Sequence, residues 1–524
     1  LLHGSSSMIN GTGALGGSVN MINNPDWSPG MKVNALFERG SFSTGKGYLK
    51  LSFGRDRINL NTRIFHESSQ NNFTFYNSGI IPNRKDTLEN ADYSKSGLLQ
   101  EIYYKSRNDN ILALRFWYQD NRRNLPRLMS YEGSERKEYL NDEQFRGQFE
   151  WKKYSDKLNY HFFTGLSTGE MDYFRATPEF DFINEDSESR ESSIVNYLKI
   201  NKAIDENYHI SAVVNGNYHK VSVSEKVSGN GYRKDRLEGG LMMNLQLRPS
   251  DRLKGFTLFR SEFYDQTVVC FIPAVGIEWQ MNRSLPLTML VNAGRNYNKP
   301  ALNDLYWLPG GNPDLLPEEG YSGDITLSGE FKRGKSVFKN EVTAFISKID
   351  NWIIWQPALS GAYYQEAGNV KNVLSKGVEY QFSTALELNK ISFKSGGNYA
   401  YTHTANVNAV SPADKSRGKQ LVYIPKHKGN IFLSTVWRKY TLRYDMNLTG
   451  RRYTSSSNQE SDFEKVLSPF ILGKITFDSQ TDWNRFRLNI KITADNLFNT
   501  DYQNILWRPM PGRFYNLSLG IKYN

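Results

Sequence analysis

The chain has 524 residues, a formal charge of +11 from 65 Lys and Arg against 54 Asp and Glu, and 31 Tyr, 30 Phe and 10 Trp. So many rings at a mean hydropathy of only −0.60 supply ample apolar surface, but not one continuous core. The positive excess is spread without a block of five like charges, which speaks against a nucleic-acid partner. The lone Cys270 excludes an intrachain disulfide, a thiolate cluster and a CxxC redox centre, and the seven histidines form no HExxH pair.

Taken in chain order, the first element is a glycine-rich stretch holding Gly11, Gly13, Gly16 and Gly17. No Lys-Ser/Thr follows it and it leads into an extended segment, so it does not read as a phosphate loop; its glycines suit tight turns and close backbone approach. The chain opens at Leu1 without a methionine or a signal peptide, as a processed chain or a fragment does. From about Met31 onward one pattern repeats: eight to ten residues alternating apolar with polar, then a connection rich in Gly, Asn, Asp, Ser and Lys. Ile58, Leu60 and Ile64 alternate with Asn59, Asn61 and Arg63. Leu442, Tyr444, Met446 and Leu448 alternate with polar residues, as do Phe486, Leu488, Ile490 and Ile492, and the series ends with Tyr515, Leu517, Leu519, Ile521 and Tyr523. A period of two puts each set on one face of a sheet.

No run approaches the 18 apolar residues of a membrane helix; the longest, Val268 to Val275, contains Pro273. A closed β-barrel is then the remaining way to cross a bilayer, and a lipid-facing outside with a wet lumen accounts for both faces of the strands. Aromatic residues at segment ends, Phe65, Trp117, Tyr118, Tyr401, Trp437, Tyr444, Tyr515 and Tyr523, are expected at the two membrane interfaces. The length left after Gly30 fits about 18 to 22 strands, and a 22-stranded barrel is wide enough to need a plug. The long polar connections Glu67 to Asn90, Pro126 to Asp142, Asp172 to Ser193, His403 to Pro425 and Arg452 to Pro469 are expected outside the cell, where loops carry recognition.

Leu2-His3-Gly4 through Gly13-Ala14-Leu15-Gly16-Gly17-Ser18-Val19-Asn20-Met21-Ile22 resembles the closing part of the plug of TonB-dependent outer-membrane receptors, with His3 where the family usually has Arg. Asn496-Leu497-Phe498-Asn499 with Pro511-Gly512-Arg513-Phe514-Tyr515 resembles the family's C-terminal close. Gly311-Asn312-Pro313-Asp314-Leu315-Leu316-Pro317-Glu318 and Gly377-Val378-Glu379 resemble its mid-barrel pattern. The resemblance implies an all-β, antiparallel transmembrane barrel, expected at 22 strands and spanning residues 25–524, with residues 1–24 as the C-terminal remnant of a plug. It implies a bacterial outer-membrane address and lipid around the barrel. A TonB complex is implied as partner, acting through the missing N-terminal plug segment, and a surface lipoprotein as a further partner.

The resemblance implies ligand-gated uptake without chemical transformation: no enzyme, no cofactor and no resident metal. The cargo is a small-molecule metal complex, read first as cobalamin or a related corrinoid on the likeness to Bacteroidetes receptors, with a ferric siderophore or haem as the alternative and a passive porin as a further rival. Expected ligand-side residues are Phe73, Phe75, Tyr76, Tyr173, Phe174, Tyr363, Tyr364 and Trp507, with loop packing as the competing role for each. His66 and His403 are the axial candidates in the haem reading. Asn312, Pro313 and Pro317 are expected to shape a loop, and Asp304 and Asp314 are weak cation candidates. Asn496 and Asp501 are expected to organise the last periplasmic turn, with Arg513 pairing in the lumen.

Overall fold

The computed structural model describes residues 2–3, 17–18, 23–133, 136–281, 286–357, 364–409, 414–459 and 466–523. Twenty-two strands form one closed barrel. They are β1 (Gly30–Gly40), β2 (Thr44–Arg55), β3 (Ile58–Ser69), β4 (Tyr93–Lys105), β5 (Asn110–Asn124), β6 (Lys137–Lys153), β7 (Leu158–Thr177) and β8 (Phe182–Ala203). The wall continues with β9 (Tyr208–Glu225), β10 (Gly231–Ser250), β11 (Leu253–Tyr264), β12 (Thr267–Gln280), β13 (Leu287–Asn298), β14 (Glu318–Arg333) and β15 (Ser336–Pro357). It is completed by β16 (Gln365–Leu388), β17 (Ile391–Asn406), β18 (His427–Trp437), β19 (Tyr440–Thr449), β20 (Phe470–Trp483), β21 (Phe486–Asp495) and β22 (Phe514–Tyr523). Each strand pairs antiparallel with its chain neighbours, and β22 closes on β1 from Val33 opposite Tyr523 to Gly40 opposite Asn516.

The alternation decides which side faces which solvent. Ile58 and Ile64 are exposed on the outside while Asn59 and Asn61 are buried on the lumenal face of the same strand. At one end the connections run from two to six residues, and several of the two-residue ones open on a residue able to take positive φ: Asp56, Gly334, Asn389 and Asn484. Such pairs match the twist of a tight hairpin. Outward rings gather just above these turns, with Trp437 stacked on Tyr440 at 5.8 Å, Phe486 against Tyr523 at 5.3 Å and Trp151 against Tyr160 at 6.2 Å. This is an interfacial girdle. Phe65 and Trp117 do not join it, contrary to expectation. They share the lumenal face with Arg63 and Arg115; Phe65 lies over Gly97, and the Arg146 guanidinium sits 5.3 Å from the Trp117 ring.

The long connections lie at the opposite end, but several are shorter than the sequence suggests. Asp172 to Ser193 is almost entirely strand, Asp172 opposite Glu188, and β7 joins β8 through residues 178–181 alone. Residues 137–142 and 403–406 are strand as well. Above the bilayer both faces of a strand meet water, so polar residues occupy both and the period of two disappears while the pairing continues. A second correction concerns the segment 496–513. β21 begins at a two-residue turn and ends at Asp495, which places this segment among the long connections and not at the short-turn end.

Inside, ion pairs cross the wall from β3 to β8. Glu101, 0 % exposed, accepts the Tyr103 hydroxyl at 2.9 Å and lies 2.6 Å from Arg63 and 3.6 Å from Arg115. Arg115 reaches Glu150 at 2.7 Å, which also holds Lys152 at 2.8 Å and His161 at 2.6 Å. A buried apolar patch, including Met242, Leu258, Ile272 and Tyr297, lines β10–β13. The chain reaches β1 along this wall: Asn23 donates to Glu101 at 3.0 Å, Asn59 donates to the Asp26 carbonyl at 2.7 Å, and a Cβ on Gly54 would stand 2.2 Å from the Ser28 carbonyl. In the N-terminal segment, Leu2–His3 pairs with Gly17–Ser18, so Gly17 sits in a two-residue ladder; Gly11, Gly13 and Gly16 lie outside the described residues.

Two measurements check this division of faces. Leu241→Arg puts a charge on the lipid side of β10 and is expected to lower the free energy of folding into vesicles by about 2–4 kcal/mol. Glu101→Ala leaves two guanidinium groups without their shared carboxylate and is expected to cost about 3–5 kcal/mol, with Glu101→Gln recovering part of that loss in the same denaturant titration.

Candidate functional site

The mouth at the long-connection end has two unlike sides. On the β1–β6 side the connections pack into a canopy. Phe73, Phe75, Leu88, Ala91 and Met129 form a buried cluster closed by Phe42 and Trp507. Phe73 stands 5.8 Å from Phe42 and 6.4 Å from Phe75. The hairpin Thr74–Asn77 with Arg84–Thr87 rises from this cluster. Backbone bonds hold the pieces together: the Met129 N–H donates to the Trp507 carbonyl at 3.0 Å, the Arg508 guanidinium donates to the Pro126 carbonyl, and Arg452 donates to the Gln503 carbonyl at 2.8 Å. The family-like turn ties off the segment. Asn496 donates to the carbonyls of Thr500 and Pro511 at 2.9 and 3.2 Å, and Arg513 donates to the Leu497 carbonyl at 3.1 Å and not to a lumenal carboxylate.

The facing side is built on residues 299–317, which contain the short helix α1 (Leu302–Tyr306). Asp304 accepts the Ala301 N–H at 3.2 Å and the Trp355 indole N–H at 2.9 Å, which engages the carboxylate weighed above as a cation ligand. The Asn312 side chain accepts the Asp314 N–H at 2.9 Å, and the Pro317 carbonyl accepts from Asn351 at 3.4 Å. Gly310, at φ +104°, approaches β16 so closely that a Cβ would meet the Gln365 carbonyl at 1.9 Å. Arg236, buried in the wall, donates to the Pro300 carbonyl at 2.9 Å. Here Lys234 stands 4.6 Å over the Tyr306 ring, and Tyr232, 6.2 Å from Tyr306, donates its hydroxyl to Asn303. Tyr232 stands above the lipid-facing band. Burial first, then the nearby charges of Asp304 and Glu191, push its hydroxyl up to about 12, so it remains a proton donor at any physiological pH.

The expected ligand residues do not converge. Phe73, Phe75 and Trp507 meet in the canopy core, while Tyr76 is exposed on its hairpin. Tyr173 faces the lumen and donates to Glu138 at 2.7 Å. Its neighbour Phe174 faces outward and stacks on Tyr139 at 5.1 Å and 16°. Tyr364 is exposed beside the β15–β16 connection, and Tyr363 lies outside the described residues. His66 bonds Ser96 at 2.9 Å on the outer face, and His403 shares the face of the exposed Tyr399 and Tyr401, so neither points at the lumen as a haem ligand must. On this wall Tyr232, Lys234 and Tyr306 escaped the sequence reading as ligand-side residues. Nothing in the spacing joins Tyr306 or Trp355 to β10. The carboxylates of Glu170, Asp172 and Glu188 cluster on the outer face, where Arg190 meets Glu170 and Glu188 at 3.4 and 2.6 Å.

Trp507→Ala is expected to loosen the canopy by about 2 kcal/mol without unfolding the barrel. Trypsin cleavage at Arg84 or Lys85 then accelerates by tenfold or more while the intact wall stays resistant.

The comparisons extend over nearly the whole chain. The family model described as TonB dependent receptor-like, beta-barrel matches residues 24–502. The vitamin B12 transporter BtuB of Photobacterium profundum is 27% identical over 229 residues, 43% of this chain and 34% of that protein. BtuB of Vibrio vulnificus (strain CMCP6) is 25% identical over 251 residues, 48% of this chain and 36% of that protein. The match thus spans about a third of the length of these curated relatives. Among solved structures, the copper transporter OprC superposes with a TM-score of 0.79 at 15% identity, over 99% of this chain and 85% of that one. The ferric-catecholate import receptor Fiu from K12 E. coli gives 0.76 at 12%, over 100% and 86%. At these identities the likeness is one of fold. With 22 strands closed around a polar lumen and a family match over most of its length, the chain belongs to the TonB-dependent receptor β-barrel family, a non-catalytic receptor class of the outer membrane.

Proposed function

We propose that this chain is the barrel of a TonB-dependent transporter that takes up a bulky metal complex, and that the cargo is a ferric siderophore. One observation carries the reading: a closed 22-stranded barrel opens, between a packed canopy and the wall of α1, onto a surface where Lys234 and the rings of Tyr232 and Tyr306 stand together, with Trp355 bonded to α1 at Asp304. A cation among aromatic faces suits a large anionic chelate with aromatic arms. The fold supports the same reading, since structures of similar fold include the siderophore receptors PiuA from Acinetobacter baumannii and PirA from Pseudomonas aeruginosa, besides Fiu. Cobalamin is the second reading, favoured by the stretches related to the vitamin B12 transporters.

Residues 1–24 are assigned to the plug and 25–524 to the barrel, on the motif around Gly11 to Gly17 and on the run of Asn23 and Asp26 along the lumenal wall. Energised uptake then requires a TonB complex acting on plug residues N-terminal to this stretch, and a surface lipoprotein is a compatible partner at the canopy.

Fluorescence quenching with the full chain in detergent tests the cargo. A ferric catecholate is expected to bind more tightly than cobalamin, and the pair Lys234→Ala and Tyr306→Ala to weaken the catecholate by about tenfold or more. Tighter binding of cobalamin, unaffected by that pair, returns the cargo to the corrinoid class. Planar-bilayer conductance of the barrel carrying its complete plug addresses the porin rival: a plugged receptor is nearly silent, and a constitutively open pore with the whole plug present overturns the transporter assignment.

A further inference from the structure

Outside the lumen, at the upper edge of β3–β6, the wall carries a groove of about 590 Å³. Its lining includes Ser68, Ser94, Arg122, Asn124, Tyr139 and Asn141. All six alternate with lumenal positions on their strands: Asn121 and Asp142 bond each other inside at 2.6 Å, so their neighbours Arg122 and Asn141 face out. Below the groove, on the same faces of β5 and β6, stand the exposed Phe116, Tyr118 and Phe145. The groove therefore begins where the lipid-facing band stops.

Its chemistry is that of a carbohydrate site. Hydroxyls and amides dominate, and Asp92 accepts from Asn124 at 2.9 Å; Arg122, with 72% of its side chain exposed, lies 3.3 Å from Asp120, and Arg123 lies 3.0 Å from Asp142, so both cations of the lining are matched by carboxylates. Tyr139, stacked on Phe174 with Lys137 6.0 Å from that ring, offers a rigid aromatic platform of the kind that packs on a sugar face. The volume falls in the range of small-ligand sites. We propose that this groove holds the sugar head group of an outer-leaflet glycolipid whose acyl chains lie against Phe116, Tyr118 and Phe145 beneath it. The inference rests on the outer-membrane reading for its orientation but not on the identity of the cargo.

Native mass spectrometry of the full chain in detergent tests it, with a purified outer-leaflet glycolipid, the same lipid trimmed of its sugars, and the deacylated oligosaccharide as probes. The wild-type chain is expected to retain the intact glycolipid, and the double variant Arg122→Ala, Tyr139→Ala to retain it about tenfold less. Lys220→Ala, on the outer face of β9, should leave retention unchanged. Equal retention of intact and trimmed lipid, an unchanged double variant, or oligosaccharide bound as tightly as the lipid would each overturn the proposal. Heat-modifiable migration on gels verifies that the variants fold. Insertion of the wild-type chain into plain phospholipid vesicles tests the membrane assignment separately, so that one reading can fail without the other.

Discussion

The rest of the structure depends on one constraint: within hydrocarbon, every backbone N–H and C=O must find its partner in the protein itself. A sheet meets that demand only by closing, and the closure here is the pairing of β1 with β22, strands separated by nearly the whole chain. The last strand therefore has to be synthesised before the first has a neighbour on that side. Strand number then sets the bore. With 22 strands the lumen is too wide for wall side chains to fill, which leaves room both for cargo and for a segment such as the one that Asn23 and Asp26 lead out of.

A wide lumen creates an electrostatic demand that the wall meets with neighbouring strands. Glu101 and Glu150 share Arg115, and Glu238 takes both His219 at 3.2 Å and Lys299 at 2.6 Å. Such pairs join one strand to the next, so they also pin the register of strands whose outer faces, largely apolar, discriminate little between one alignment and another. Glu101 shows the coupling most directly, because the same buried carboxylate that bridges β3 to β5 also receives Asn23.

How much of this was legible in the sequence varied with depth in the membrane. Where lipid lies on one side and water on the other, as along Ile58 to Ile64, the alternation names both the strand and its faces. Above the bilayer that contrast is gone: Glu170, Asp172 and Glu188 are as polar as any loop, yet they sit in paired strands that only the backbone ladder reveals. Ring positions were ambiguous for a related reason. Phe65 and Tyr118 both stand near strand ends, but a difference of one in parity sends the first over Gly97 in the lumen and the second to the lipid. The segment around Asn496 was recognisable as a motif and still misplaced, because a motif carries its turn chemistry and not the end of the barrel at which the turn falls.

The two sides of the mouth also differ in what they can do. In the canopy, Phe73 and Phe75 are used up in holding connections to one another, and a ring buried against rings has no face left for a ligand. Across the mouth, the loop carrying α1 is fastened through its backbone: Pro300, Gly310, Leu316 and Pro317 all lend carbonyls to the wall. That manner of fastening leaves the side chains of Tyr306 and Tyr232 half-buried and that of Lys234 exposed, instead of enclosed. On the proposed reading, recognition falls on the side where Tyr306 and Lys234 keep free faces, and the canopy, its rings buried against one another, is the fixed roof opposite.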